Sequence, residues 1–97
     1  MLKNFRTYQL SVIFYKECKN VKLPCYLRDQ ILRASSSISL NLSEGSVKPT
    51  KKDKLKFYNI AFASLREVQA VIELEDIKSL SKSADILEAH LYKLTRQ

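Results

Sequence analysis

Punctuation is nearly absent from this chain. One glycine and two prolines stand in 97 residues, too few for the tight turns that many short strands require, so a small number of long helices is favoured. Two cysteines, Cys18 and Cys25, and a single histidine, His90, are present. Two thiols without a histidine cluster cannot give four ligands to a structural zinc within one chain. A disulfide between them is sterically open. No secretory apolar stretch appears near Met1, however, so free thiols in a reducing cytoplasm are the expected state. No apolar run approaches membrane-spanning length. The sequence also lacks a Gly-rich phosphate loop and a paired-carboxylate motif. No arginine precedes His90 at the spacing of the Arg…His ribonuclease motif of some small helical toxins. A non-enzymatic protein without cofactor or metal is therefore expected.

What is present is a globular balance. Hydrophobic residues make up 45% and charged residues 28%, enough for one core and too apolar for a disordered chain. Residues 1–97 read as a single domain. Seventeen Lys and Arg against ten Asp and Glu give a net charge of +7, which favours partners bearing phosphates or acidic surfaces.

Helical periodicity places four helices, at about 3–19, 25–44, 51–75 and 81–95. The first carries Phe5, Tyr8, Val12 and Tyr15 as a stripe, widened by Leu10, Ile13 and Phe14. So broad a face either covers an ordinary wide core or partly meets another subunit. Asn20 is the expected left-handed stop, and Pro24 fits the opening turn of the second helix. There, Leu27, Ile31, Ala34, Ile38 and Leu42 form a seam that passes through the serine run Ser35–Ser36–Ser37 without losing phase. Helix is therefore expected across residues of poor helix propensity, their hydroxyls returning to carbonyls one turn back. Gly45, the lone glycine, reads as the left-handed cap that ends this helix. Thr50 and Asp53 have capping-box spacing at the start of the third. Phe57, Ala61, Ser64, Leu65, Val68 and Ile72 give that helix its stripe, flanked by Ile60, Val71 and Leu74. Folded back on the second, it would set small residues against the serines and Arg33 beside Glu67. Ser81 is the expected N-cap of a fourth helix marked by Leu80, Ala84, Leu87, Leu91 and Leu94. Short connectors make the fold class all-α, an antiparallel up-down-up-down four-helix bundle.

The basic charge is concentrated at the tip of the central hairpin. Lys48, Lys51, Lys52, Lys54 and Lys56 surround Asp53 where the third helix begins, and a helix N-terminus adds its own attraction for anions. Any one of these lysines is ordinary surface. Their clustering, with Arg66, makes them the candidate contacts for nucleic-acid phosphates, with Tyr26 and Tyr58 as candidate stacking surfaces. Binding of RNA or DNA through such contacts would be salt-sensitive and weakly sequence-specific.

The central hairpin also resembles a bacterial family. The residues are Gln30-Ile31-Leu32-Arg33-Ala34, Ser37-Ile38 and Asn41-Leu42-Ser43-Glu44-Gly45, followed downstream by Phe57, Asn59-Ile60-Ala61, Ser64-Leu65 and Glu67. They are similar to the four-helix-bundle proteins encoded in intervening sequences of 23S ribosomal RNA genes, the S23 family. Related bundles are accessory variability proteins of diversity-generating retroelements. The resemblance implies a closed bundle, a basic surface, a ring-like homo-oligomer that is most often a pentamer, and no enzymatic activity. Retroelement relatives bind nucleic acid and a reverse transcriptase. Arg33, Asn41, Glu44, Gly45, Ser64 and Glu67 match motif positions and are read as structural. Where such families often carry a second arginine, this chain has Leu32. Two functions follow: a basic oligomer that binds RNA or DNA, or a self-assembling scaffold whose partner is another protein.

Overall fold

The computed structural model describes residues 2–96. A single 3-10 turn, Leu2–Asn4, precedes four helices: α1 (Arg6–Lys19), α2 (Cys25–Ser46), α3 (Lys51–Leu74) and α4 (Lys78–Thr95). They form an all-α four-helix bundle about 40 Å long and 20 Å across. Ser37 of α2 meets Ser64 of α3, while Gln30 meets Glu67 and Gly45 meets Tyr58. Numbers rise on one helix as they fall on the other, so α2 and α3 run antiparallel. Arg66 and Gln69 meet Glu88, whereas Asn59 and Phe62 share a groove with Tyr92 and Arg96. Helices α3 and α4 are opposed in the same way. Among the described residues, no helix is long and apolar enough to cross a membrane.

The core is aliphatic. Ile31, Ile38, Leu42, Leu65, Leu80, Leu87 and Leu91 are fully buried, with Phe14 as the large ring among them. Each such side chain contributes about 1.5–3 kcal/mol relative to an exposed one. The α2 seam through Ala34, Ile38 and Leu42 is buried, and the helix is unbroken across the serines. Ser36 donates to the Arg33 carbonyl at 3.0 Å, and Ser35 donates to that of Leu32 at 3.4 Å.

Small polar residues bring the backbones together. Ser11 of α1 shares a 2.8 Å hydrogen bond with Ser39, and Ser37 shares one of the same length with Ser64. This rotates α1 away from its expected phase. Its buried residues are Thr7, Ser11, Phe14 and Cys18. Phe5, Tyr8 and Val12, expected on the core stripe, are only partly buried on its flank, and Ile13 is exposed. Hydrophobicity alone points to the aromatic side. The helix instead turns its thin side to α2, where small residues allow close approach, and its rings cover the margins.

Several helix ends differ from expectation. Phe5 is extended at φ −97°, so α1 begins at Arg6. Asn20 lies in the right-handed region, with φ −92° and ψ −3°, and the chain leaves α1 through a tightened turn, Asn20 N–H to Glu17 O. Pro24 caps α2 from just outside it. Gly45 is not a left-handed stop: no described glycine has positive φ, and α2 continues to Ser46. A Cβ at position 45 would lie 2.7 Å from Tyr58 Cε1 and 3.1 Å from Phe57 Cβ. The glycine therefore provides interhelical clearance, and Tyr58 is buried because of it. Helix α4 starts at Lys78, ahead of the expected Ser81, and its cap residue Ile77 makes no side-chain capping bond.

The left-handed cap lies elsewhere. Asp76, at φ 54°, follows α3, with Asp76 N–H bonded to Glu73 O and Ile77 N–H bonded to Ile72 O at 2.9 Å. This is the Schellman arrangement, closed by the buried Ile77. The expected flank residue Leu74 is 77% exposed, because the stripe of α3 ends at Ile72. Thr50 caps α3 by accepting from Asp53 N–H at 3.1 Å.

Candidate nucleic-acid interface

At the hairpin tip the lysines divide by what their ammonium groups touch. Lys51, Lys52 and Lys56 are exposed on the first turns of α3. Lys54 is turned inward: its Nζ donates to the Ser46 carbonyl at 3.0 Å and to that of Gly45 at 3.5 Å. It satisfies the end of α2 and opposes the negative pole of that helix. Lys48 pairs with Glu44 at 2.8 Å, one turn earlier, and lies over the Phe57 ring. Arg66 is far from the tip. It bonds Glu88 at 3.2 Å and Gln69 at 3.0 Å, while Gln69 donates to the same Glu88 oxygen. Of the lysines and arginine expected to meet phosphate, three present ammonium groups without a recorded protein bond, and three are engaged by the fold.

The bundle brings further cations to the same end. Phe5 packs on Tyr58 with ring centroids 6.1 Å apart, placing Lys3 and Arg6 beside the start of α3. Arg96, at the end of α4, shares a groove with Asn59 of α3, and Lys93 is one turn before it. Lys3, Arg6, Lys93 and Arg96 are all exposed. Against them stand Glu44, already paired, and Asp53. The opposite end mixes the signs: Glu17, Asp29, Glu73, Glu75 and Asp76 are offset by Lys16, Lys19, Lys22, Arg28, Lys78 and Lys82. The net positive charge is thus gathered at the hairpin-tip end. Lys3 and Arg6 are remote in sequence from the lysine run, and only helix reversal reveals their proximity.

The aromatic residues also depart from expectation. Tyr58 is 6% exposed, and burial raises its phenol pKa. It packs behind Gly45 and cannot offer a face to a base. Tyr26 is exposed beside Cys25, in the first turn of α2 at the other end. The ring that does stand near the basic end is Tyr92, 49% exposed, with the Arg96 guanidinium 4.6 Å from its centroid. An aromatic and an arginine four residues apart on the polar side of α4 are the signal that could have marked it.

The motif residues of α2 and α3 lie mostly between those helices. Asn41 donates to the Ser37 carbonyl at 2.8 Å, and Ser37 bonds Ser64. Glu44 holds Lys48, and Gly45 clears Tyr58. The expected Arg33–Glu67 bridge does not occur. Glu67 accepts from Gln30 at 3.5 Å, and Arg33 points to solvent. Gln30 is one turn nearer the start of α2.

Candidate reactive groups are sparse. Cys18 is fully buried, and desolvation pushes its thiol up to about 11 against a smaller opposing hydrogen bond from Ser35. A thiol held so far from ionisation is a poor nucleophile. Cys25 is exposed, with its sulfur 4.0 Å from Asp29. Among the described residues, no group of three or more His, Cys, Asp or Glu side chains is arranged to hold a metal ion.

The family model described as 23S rRNA-intervening sequence protein matches residues 3–97. No curated protein and no solved structure matches the chain.

Proposed function

Because the chain belongs to the 23S rRNA-intervening sequence protein family, we propose that it is a non-enzymatic, self-associating helical protein that binds RNA or DNA through backbone phosphates at its basic end. The observation that carries this reading is the convergence of exposed cations from separate elements. Lys51, Lys52 and Lys56 open α3, Lys3 and Arg6 flank the start of α1, and Lys93 and Arg96 close α4. Such a surface attracts a phosphate backbone through counterion release and needs no base edge. Lys48, Lys54 and Arg66 contribute less, since each already serves a protein oxygen. Self-association is supported by exposed apolar residues on the central hairpin, Leu40 and Val47 of its first arm and Ile60 of its second.

The test is anisotropy of a labelled RNA hairpin and a DNA duplex across a potassium chloride series. Binding should weaken linearly on a log–log plot, by about 0.9 per phosphate neutralised for duplex DNA. A variant with Lys51→Glu, Lys52→Glu and Lys56→Glu should lower that slope by about 3. Absence of binding at low salt, or a complex indifferent to salt, overturns the reading. The scaffold alternative would then stand, and sedimentation mass would measure the self-association separately.

A further inference from the structure

A shallow groove of about 280 Å³ runs between α3 and α4, lined by Asn59, Phe62, Ala63, Arg66, Tyr92 and Arg96. It contains two guanidinium planes, each backed by a ring: Arg66 lies 4.8 Å from the Phe62 centroid, and Arg96 lies 4.6 Å from that of Tyr92. Flat cationic planes and aromatic faces are what unstacked bases settle on. Ala63 leaves the α3 side low, and the exposed Asn59 can offer an amide donor and acceptor to a base edge. The two arginines are not equivalent. Glu88 and Gln69 hold Arg66 in place and cancel its charge. Arg96 has no ion-pair partner among the described residues, and Lys93 is exposed nearby.

We propose that this groove takes one unpaired nucleotide, its base against the Arg66 and Arg96 planes and its phosphate toward Arg96 and Lys93. The inference rests on the nucleic-acid reading above and deepens it, because a purely phosphate-binding surface would not distinguish paired from unpaired strands. The Glu88 pairing sets the direction: with Arg66 already neutralised, Arg96 and Lys93 are the cations left to meet the phosphate, and the Arg66 side is left to the neutral base. A duplex cannot enter without unpairing, whereas loops and single strands present such a nucleotide directly.

The experiment measures affinity for a single-stranded oligoribonucleotide carrying 2-aminopurine and for a fully paired duplex of the same length. In the unaltered protein, binding of the single strand should quench the 2-aminopurine by stacking. Tyr92→Ala should weaken single-strand binding about tenfold and abolish the quenching, with duplex affinity unchanged. Tyr92→Phe should restore both, and Arg96→Lys, which keeps the charge but loses the plane, should weaken the single strand more than the duplex. Tyr92 is half exposed, and helical circular dichroism verifies that each variant is folded. Equal losses for single strand and duplex, or no loss in Tyr92→Ala, would overturn the groove while leaving the phosphate reading intact. If the unaltered protein binds neither, both readings fall.

Discussion

Replacing Gly45 with alanine sets two effects of opposite sign against each other. Inside a helix the change should stabilise by about 1 kcal/mol, because alanine is the better helix former. Here the new methyl would lie 2.7 Å and 3.0 Å from two atoms of the Tyr58 ring and 3.1 Å from Phe57 Cβ. The ring is buried and packs against Phe5, so it cannot swing freely. Phe57 Cβ moves only with its helix. Overpacking of this kind costs about 1–3 kcal/mol. The balance runs from near zero to a net loss of about 2 kcal/mol, equivalent to a fall of up to roughly 15 °C in Tm for a domain of this size. Thermal and urea unfolding followed at 222 nm would measure it. Two further variants test the cause. Gly45→Asn should be worse than Gly45→Ala, whereas a left-handed cap would tolerate asparagine. In a Tyr58→Ala background the same Gly45→Ala change should cost less, since the ring is gone and only the 3.1 Å contact with Phe57 Cβ remains. A Gly45→Ala protein that melts higher than the parent would refute the clearance argument.

Other variants probe the small contacts that shape the bundle. Ser37→Ala should cost about 1 kcal/mol by leaving the Ser64 hydroxyl without its partner, and Ser64→Ala less, because Ser37 Oγ still accepts from Asn41 at 3.1 Å; the double substitution should cost less than the sum, as chemical denaturation would show. Asp76→Gly should match or exceed the parent by up to about 1 kcal/mol, because φ 54° suits glycine, whereas Asp76→Val should lower the melting temperature. A thiol reagent at neutral pH should titrate Cys25 quickly and Cys18 only after denaturation. The same buried thiol, raised from 9.0 to about 11, ties stability to alkaline pH. The native state retains its proton where the unfolded chain has lost it, so its contribution is intact below about pH 9 and declines as pH rises toward 11. Cys18→Ala should flatten the fall over that window.

The fold was legible because its seams are. Ile31–Ala34–Ile38–Leu42 and Leu80–Ala84–Leu87–Leu91 keep helical phase over several turns, and buried aliphatic residues have few alternatives to core. Where small residues replace large ones, the same reasoning misleads. Helix α1 packs through Ser11 and Thr7, which no hydrophobicity pattern selects, and the reader is drawn to Tyr8 and Tyr15. Gly45 departs from the left-handed expectation for a related reason. A lone glycine signals left-handed backbone or close approach equally, and only the position of Tyr58 distinguishes them. Asp76 held the left-handed turn without any glycine to mark it. The lysine run was visible as composition, but its division into exposed and engaged ammonium groups depends on where α2 ends, since Lys54 serves that terminus. Arg96 and Tyr92 became candidates only once α4 was laid beside Asn59 and Phe62.

The clearance at Gly45 has a bearing on how this hairpin can vary. Together with Ser37 opposite Ser64, it forms a two-point lock between α2 and α3. Sliding one helix by a turn would face the Tyr58 ring with a residue bearing a Cβ and separate the two hydroxyls, so the alignment is keyed internally and not by the loop. Residues inserted between Val47 and Thr50 would then add only a small loop-closure cost, growing slowly with length. One residue inserted between Ser37 and Gly45 would put the two keys on different faces of α2. Variation in this hairpin is therefore cheap in the connector and barred in the arms, and the connector is where its basic end begins.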